Sequence, residues 1–151
     1  MNVIKTSYKL NALYEEFFHD TVLFPEDSDE TMTFAAGNVA NNFGAWAEIK
    51  DNLNVTFSSK LAAAGGHISF FNLEVVSAAD KVYVFEIAYG GAKVTVAFGR
   101  TIVAALNVGF SQVAQIRSTI IPAGETVYYR MKCETADATL EAHMRYHLLH
   151  G

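Results

Sequence analysis

The sequence has little charge, little proline and almost no cysteine. Only 18% of its 151 residues are charged, whereas 51% are hydrophobic, and this composition excludes a chain that is disordered over most of its length. The single cysteine, Cys133, has no second cysteine with which to form an internal disulfide, so the fold does not depend on an oxidising compartment. The length suits one domain with one large core.

Long apolar runs and an excess of basic residues are also missing. No run approaches the roughly 20 apolar residues that cross a bilayer, and the first residues, Met1 to Lys5, lack the apolar stretch of a secretory signal. We therefore expect synthesis in a cytoplasm and no membrane partner. The net charge of −5 lacks the basic footprint of a nucleic-acid-binding protein, so no nucleic acid is expected as a partner.

The negative charge is concentrated near the N-terminus. Residues 1–30 hold seven acidic and two basic residues, whereas residues 31–151 hold nine of each. We predict an N-terminal amphipathic, acidic arm over residues 1–30 and a β-sandwich domain over residues 31–151. In the arm, apolar side chains at i, i+3, i+4, i+7 and i+8 predict a helix over residues 8–19. These candidate interface residues are Leu10, Leu13, Tyr14, Phe17 and Phe18.

Two roles are open for this apolar helix face. It covers the open end of its own sandwich, or it docks into a groove of a partner. The sequence does not decide between them.

After residue 30 the hydrophobic pattern has the period of a β-strand. Residues 126–133 and 139–148 alternate between apolar and polar side chains, which predicts two strands with one core face each, joined as a hairpin by residues 134–138. Gly90-Gly91 predicts a two-residue hairpin turn between strands over 81–89 and 93–100. Short strands without crossover helices predict an all-β, antiparallel sandwich or barrel. Further strands are predicted over 32–36, 44–50, 54–58, 67–76 and 112–121.

The histidines are the first candidates for chemistry. His143 and His147 have the i, i+4 spacing of a zinc pair on a helix, but on a strand they lie about 13 Å apart. A metal would therefore need a ligand from a neighbouring strand, and a row facing solvent or a subunit is the favoured interpretation. His67 follows two glycines at a strand start and has no carboxylate partner in the sequence pattern.

Other catalytic patterns are missing. The His-x-His pair of a cupin metal site, the nucleophile elbow and the phosphate-binding glycine loop do not occur. Cys133 falls on the predicted core face of its strand, where a thiol is unreactive. We predict no catalytic residue, no metal site and no cofactor.

A resemblance to a known family rests on three segments of the chain: residues 42–49 (NFGAWAEI), 66–69 (GHIS) and 121–148, which begins IPAGETVYYRMK. They are similar to the small β-sandwich virion proteins of tailed bacteriophages, the jelly-roll type that decorates or cements the capsid. The resemblance implies a jelly roll, symmetric homo-oligomers with a trimer favoured, and no catalytic residues to carry over.

The expected function is therefore structural. We expect a non-enzymatic virion protein, a capsid decoration or cement protein that stabilises the bacteriophage head through contacts with the major capsid protein or other virion proteins. Its expected location is the virion, after synthesis in the host cytoplasm. Two alternatives stay open: a glycan- or receptor-binding module of a tail or fibre, with Tyr89 or Tyr128 as exposed platforms, and a cupin-like metalloenzyme. Head or tail location is not decided by the sequence.

Overall fold

The computed structural model describes residues 21–104 and 107–149, with residues 107–115 described by their backbone only. The predicted helix over residues 8–19 and its five candidate interface residues lie outside the described residues. Among those described, no helix is long and apolar enough to cross a membrane. The strands are β1 Thr21–Phe24, β2 Met32–Ala35, β3 Ala47–Glu48, β4 Gly66–Val76, β5 Lys81–Tyr89, β6 Val94–Val103, β7 Asn107–Gln115, β8 Val127–Cys133 and β9 Thr139–Leu148, and one short helix, α1 Phe57–Lys60, precedes β4.

The strands form two antiparallel sheets, which confirms the predicted all-β sandwich. Sheet A has the order β1-β9-β4-β7, and β2 pairs with β9 beyond the end of β1. Sheet B has the order β3-β8-β5-β6. Every paired strand is antiparallel to its neighbours, so alternate side chains of each strand turn towards the other sheet.

Aromatic rings from both sheets meet at the centre of the core. Phe34 of β2 stacks on Tyr129 of β8 with ring centroids 4.0 Å apart. The rings of Phe71 (β4) and Phe85 (β5) are tilted at 5.0 Å, and Phe34 meets both at 5.7 Å. All but Tyr129 are fully buried, and Tyr129 is 8% exposed. Buried aromatic pairs of this geometry contribute about 0.5–1.5 kcal/mol beyond their area, so this cluster holds the two sheets together.

Gly99 of β6 makes room for that cluster. It is the register partner of Phe85, and a Cβ built on Gly99 would lie 2.0 Å from the Phe85 ring. Because the Phe85 ring is fully buried against Phe34 and Phe71, it has little room to move. A side chain at position 99 is therefore excluded by the core, although the sequence shows only an isolated glycine in a strand.

One predicted hairpin is confirmed and its turn is corrected. β5 and β6 pair as expected, but the loop has four residues, Gly90 to Lys93, and the Lys93 N–H donates to the Gly90 carbonyl. Gly90 has φ +72 and Lys93 φ +55, so positive φ falls on Gly90 and Lys93, while Gly91 has an ordinary negative or extended φ.

The predicted hairpin of the last two strands is wrong. β8 pairs with β5 and β3 in sheet B, whereas β9 pairs with β4, β1 and β2 in sheet A. The connection 134–138 therefore crosses from one sheet to the other, and Asp137 in it has φ +53. Period-two alternation reports which side chains face the core, but it does not report which strand is the neighbour.

The predicted strand over residues 54–58 is also wrong. Asn54 has φ +67, which interrupts an extended run, and α1 begins directly after Thr56, which forms an isolated bridge with Lys50. Thr56 caps the helix: its side-chain oxygen accepts the Ser59 N–H at 3.3 Å. Phe57 is fully buried, so this turn of helix places a ring in the core.

Two other predicted strands have different limits. Only Ala47–Glu48 of residues 44–50 pair as a strand. β7 covers residues 107–115 and not 112–121. Beyond it, the Ile116 N–H donates to Ser69 of sheet A and the Thr119 N–H to Val96 of sheet B. The later residues therefore cross between the sheets.

The described part of the predicted arm, residues 21–30, is attached to the sandwich. β1 pairs with β9 from Thr21–His147 to Phe24–Met144. Phe24 is 1% exposed and its ring lies 5.4 Å from that of Phe57. The acidic residues that follow form the β1–β2 loop, where Glu26 makes a 2.9 Å ion pair with Lys60 of α1.

Candidate binding surface

The outer face of sheet B carries an aromatic and cationic cluster that we call the platform: Phe43, Trp46, Tyr128, Arg130 and Lys132. The last three alternate with core residues along β8, so the strand period turns them outwards. Trp46 is partly exposed on this face because it lies just before β3, which pairs with β8. Sequence reasoning identified the alternation of β8 but not the aromatic residues that cover it.

Arg130 is the centre of the platform. Its guanidinium carbon lies 4.6 Å from the ring centroids of both Phe43 and Trp46. Its Nε and Nη2 lie 2.7 Å and 2.6 Å from Oε2 of Glu86 on β5. A planar guanidinium suits this arrangement because it offers its faces to rings and its edge to a carboxylate.

Glu86 is buried although it lies on an outer face. The residue is 5% exposed, since Arg130 and Phe98, its register partners on β8 and β6, flank it. Its Oε1 accepts the hydroxyl of Thr95 while Oε2 accepts Arg130. An unpaired buried carboxylate would destabilise the fold, so Arg130 is needed to compensate the charge of Glu86.

Two lysines, Lys132 of the platform and the neighbouring Lys93, contact its aromatic rings. The Lys93 ammonium lies 3.6 Å from the ring centroid of Tyr128, and that of Lys132 lies 4.9 Å from Phe43. Lys93 thus covers one face of Tyr128, which is one of the two rings that the glycan-binding alternative requires to be exposed. The second such ring, Tyr89, is partly buried and packs against the core.

The edge strand β6 adds apolar groups to the same face. Phe98 is 67% exposed and Ile102 50% exposed, and they stand opposite Glu86 and Val82 in the β5–β6 register. Arg100 lies between them, exposed and opposite Val84. Sheet B therefore presents aromatic, aliphatic and cationic side chains together on one side.

The outer face of sheet A carries the histidines singled out in the sequence. His67 of β4 and His147 of β9 are register partners, and their rings stack with centroids 4.9 Å apart. The Thr21 hydroxyl lies 3.1 Å from Nδ1 of His147. His143 is separate from this pair, so the i, i+4 histidines do not converge.

The remaining polar groups of this face pair locally. His143 Nδ1 lies 2.7 Å from Glu74 Oε1 without the alignment of a hydrogen bond, and this contact is an ion pair when the imidazole is protonated. The Arg145 guanidinium covers the ring of Phe70 at 3.7 Å. Within residues 21–104 and 107–149, no three His, Cys, Asp or Glu side chains are grouped as metal ligands would be.

Cys133 lies on the core face of β8, as predicted, and is 2% exposed. The buried tyrosines nearby hold backbone groups: the Tyr129 hydroxyl accepts the Ala35 N–H at 3.1 Å, and Tyr83 donates to the Ala78 carbonyl at 2.8 Å. Burial raises the pKa of both phenols, and the backbone hydrogen bonds partly offset it. These groups support the core and stand apart from the platform.

Comparison with known proteins finds no match for this chain among protein-family models or among curated protein sequences.

Proposed function

We propose that this chain is a non-enzymatic structural protein of a bacteriophage virion, a capsid decoration or cement protein that works through protein–protein contacts. The observation that carries the proposal is the platform with the exposed Phe98 beside it. Aromatic residues and arginine are enriched where proteins bind one another, and charged pairs buried at the centre of such surfaces fix their geometry. One fold hosts many functions, so the proposal depends on this surface as well as on the architecture.

The proposal includes a jelly-roll fold, which the strand order supports. Followed from β2 to β9, the chain places β2, β9, β4 and β7 side by side in one sheet and β3, β8, β5 and β6 in the other. Eight antiparallel strands in two four-stranded sheets with long crossings between them are typical of jelly rolls, which occur in viral capsid proteins, lectins and cupins. A site for capsid contact on the outer face of one sheet is compatible with that architecture.

The test is binding to capsids. The purified chain is mixed with tailed-phage capsids that lack decoration protein and sedimented, and its oligomeric state is measured by light scattering. We expect co-sedimentation and a symmetric oligomer, with a trimer favoured. A strictly monomeric protein that does not bind capsids would contradict the proposal.

A surface variant makes this test specific. Phe98→Ser should weaken binding by about tenfold, since exposed aromatics are frequent hot spots, while the free energy of unfolding changes by less than about 0.5 kcal/mol because the ring is largely in water. Leu23→Ser is the matched control, since Leu23 is 49% exposed on β1 of sheet A, where it lies opposite Arg145. Equal binding by both variants would remove Phe98 from the contact.

Two truncations address the predicted arm. Deleting residues 1–20 should leave the sandwich folded and weaken assembly if those residues dock on a partner. Deleting residues 1–30 also removes β1 and the buried Phe24, and loss of a buried phenylalanine alone costs about 3–5 kcal/mol. Thermal unfolding of both truncations, with light scattering, separates an arm from a cover. Failure of the shorter truncation to fold would favour the covering role.

A further inference from the structure

The outer face of sheet B has cations without anions. Arg130 is neutralised by Glu86, but Lys93, Arg100 and Lys132 have no carboxylate oxygen within 4.0 Å in the described part of the chain. Three acids lie at the margin of this face. Glu48 accepts the Ser58 hydroxyl, Glu134 accepts the Val82 N–H, and Glu125 lies beside Gly90, whose carbonyl accepts the Lys93 ammonium. With Phe98 exposed between the cations, this face suits an acidic partner segment that also carries apolar side chains.

The β1–β2 loop has the complementary character. Glu26 is paired with Lys60, whereas Asp27, Asp29 and Glu30 have no cation within 4.0 Å among residues 21–104 and 107–149. Asp27 and Asp29 are exposed.

An exposed leucine lies beside these acids. The neighbouring loop is joined to the end of the β1–β2 loop by two hydrogen bonds between Thr31 and Asn52, at 3.0 Å and 3.2 Å. That loop presents Leu53 with 65% of its surface exposed. Acidic and apolar groups therefore lie together here, as basic and apolar groups do on sheet B.

The two surfaces do not meet within one copy. The acidic loop joins β1 to β2, and both of these strands pair with β9 in sheet A. No ion pair among the described residues joins this loop to the cations of sheet B. Two different, complementary patches on one chain make a head-to-tail contact, which closes into a ring when the rotation allows it.

We propose that a second copy of this chain binds the outer face of sheet B, with the acidic β1–β2 loop of one copy against Lys93, Arg100 and Lys132 of the next. Phe98 then packs against the apolar part of the loop region, which includes Leu53. The proposal deepens the proposed structural function, on which it rests, by naming the partner of the platform.

Charge reversal in the full chain tests this contact. The acidic variant is Asp27→Lys, Asp29→Lys and Glu30→Lys, and the basic variant is Arg100→Glu and Lys132→Glu. Each should lower the self-association constant by at least about tenfold, because like charges then face each other, and the combined variant should regain most of it. Glu141→Lys, on the outer face of sheet A, is the control and should associate as the unaltered chain does.

Sedimentation velocity measures the association, and thermal unfolding checks that each variant folds. For the unaltered chain, association should weaken between about 0.1 M and about 1 M salt, since the Debye length falls from about 10 Å to about 3 Å. An oligomer that is unchanged by both reversals would overturn the inference and leave the structural function standing. A monomeric chain that still binds capsids would likewise overturn the inference and leave the structural function standing. A monomer that binds no capsid would contradict both proposals.

Discussion

The outer faces of the two sheets use similar residue types in different ways. On sheet A, His143 meets Glu74, whose side chains are 17% and 34% exposed. On sheet B, Arg130 meets Glu86, whose side chains are 34% and 7% exposed, so the two pairs differ in how far the carboxylate is buried. Each pair joins neighbouring strands of one sheet. Glu86, however, is flanked by Phe98 of the edge strand β6 and by the Arg130 guanidinium, which also contacts two aromatic rings.

This difference shows that the burial of a carboxylate decides how much its partner contributes to stability. Where water reaches the carboxylate, as at Glu74, solvent replaces much of the lost contact when the partner is removed. A carboxylate shielded from water has no such replacement. Loss of the partner residue is therefore better tolerated at Glu74 on sheet A than at Glu86 on sheet B.

The largest expected effect comes from removing one member of each pair. Arg130→Ala should lower the free energy of unfolding by about 3 kcal/mol, since Glu86 is left buried without its cation. His143→Ala should cost about 1 kcal/mol or less. Urea unfolding followed by circular dichroism measures both.

The double variant Arg130→Met with Glu86→Leu is the control for this comparison. It should be more stable than Arg130→Ala alone, because no charge is then left buried. Equal losses for Arg130→Ala and His143→Ala would break the comparison between the two faces.

A smaller effect is expected from pH, on the inner faces of the sheets. Burial, with a lesser contribution from the Glu26 carboxylate, raises the pKa of Tyr146 on sheet A to about 12. The unfolded chain loses this proton near the ordinary pKa of 10, so the stabilisation is complete below pH 10 and is lost as pH rises towards 12. The expected slope is up to about 1.4 kcal/mol per pH unit.

Tyr146→Phe should make the decline in stability above pH 10 shallower than in the unaltered chain. Tyr129→Phe on sheet B should have the weaker effect on the slope, since the hydrogen bond from Ala35 opposes the rise in the Tyr129 pKa. Urea titrations at several pH values measure the slopes. If Tyr146→Phe leaves the slope unaltered, the phenol is not the group that titrates.

The smallest effect is expected where the two faces are alike. Lys93 over Tyr128 on sheet B and Arg145 over Phe70 on sheet A are both cation–π contacts, at 3.6 Å and 3.7 Å. Lys93→Met and Arg145→Met should each cost about 0.5 kcal/mol, measured by urea unfolding. A much larger loss for Lys93→Met would mean that sheet B differs from sheet A beyond the Glu86 site.

Much of the inward and outward placement of side chains could be predicted. The alternation in β8 and β9 placed Cys133 in the core and Arg130 and His143 outside, and the structure confirms these positions. Alternation is a local property of an extended chain, so it survives any choice of neighbouring strand. The burial of Glu86 could not be predicted, because it depends on Phe98, Arg130 and the rings that cover the guanidinium.

The sequence by itself determined the all-β class, the core faces of the long strands and the β5–β6 hairpin, since each follows from local alternation and a short turn. Only the tertiary structure decided that β8 and β9 belong to different sheets, that residues 57–60 form a helix and that Phe24 lies in the core. Tertiary contacts also assembled the platform, because they place Phe43 and Trp46, which precede β3, against Arg130 of β8. Such contacts join residues far apart in the chain, and no local periodicity encodes which distant strands become neighbours.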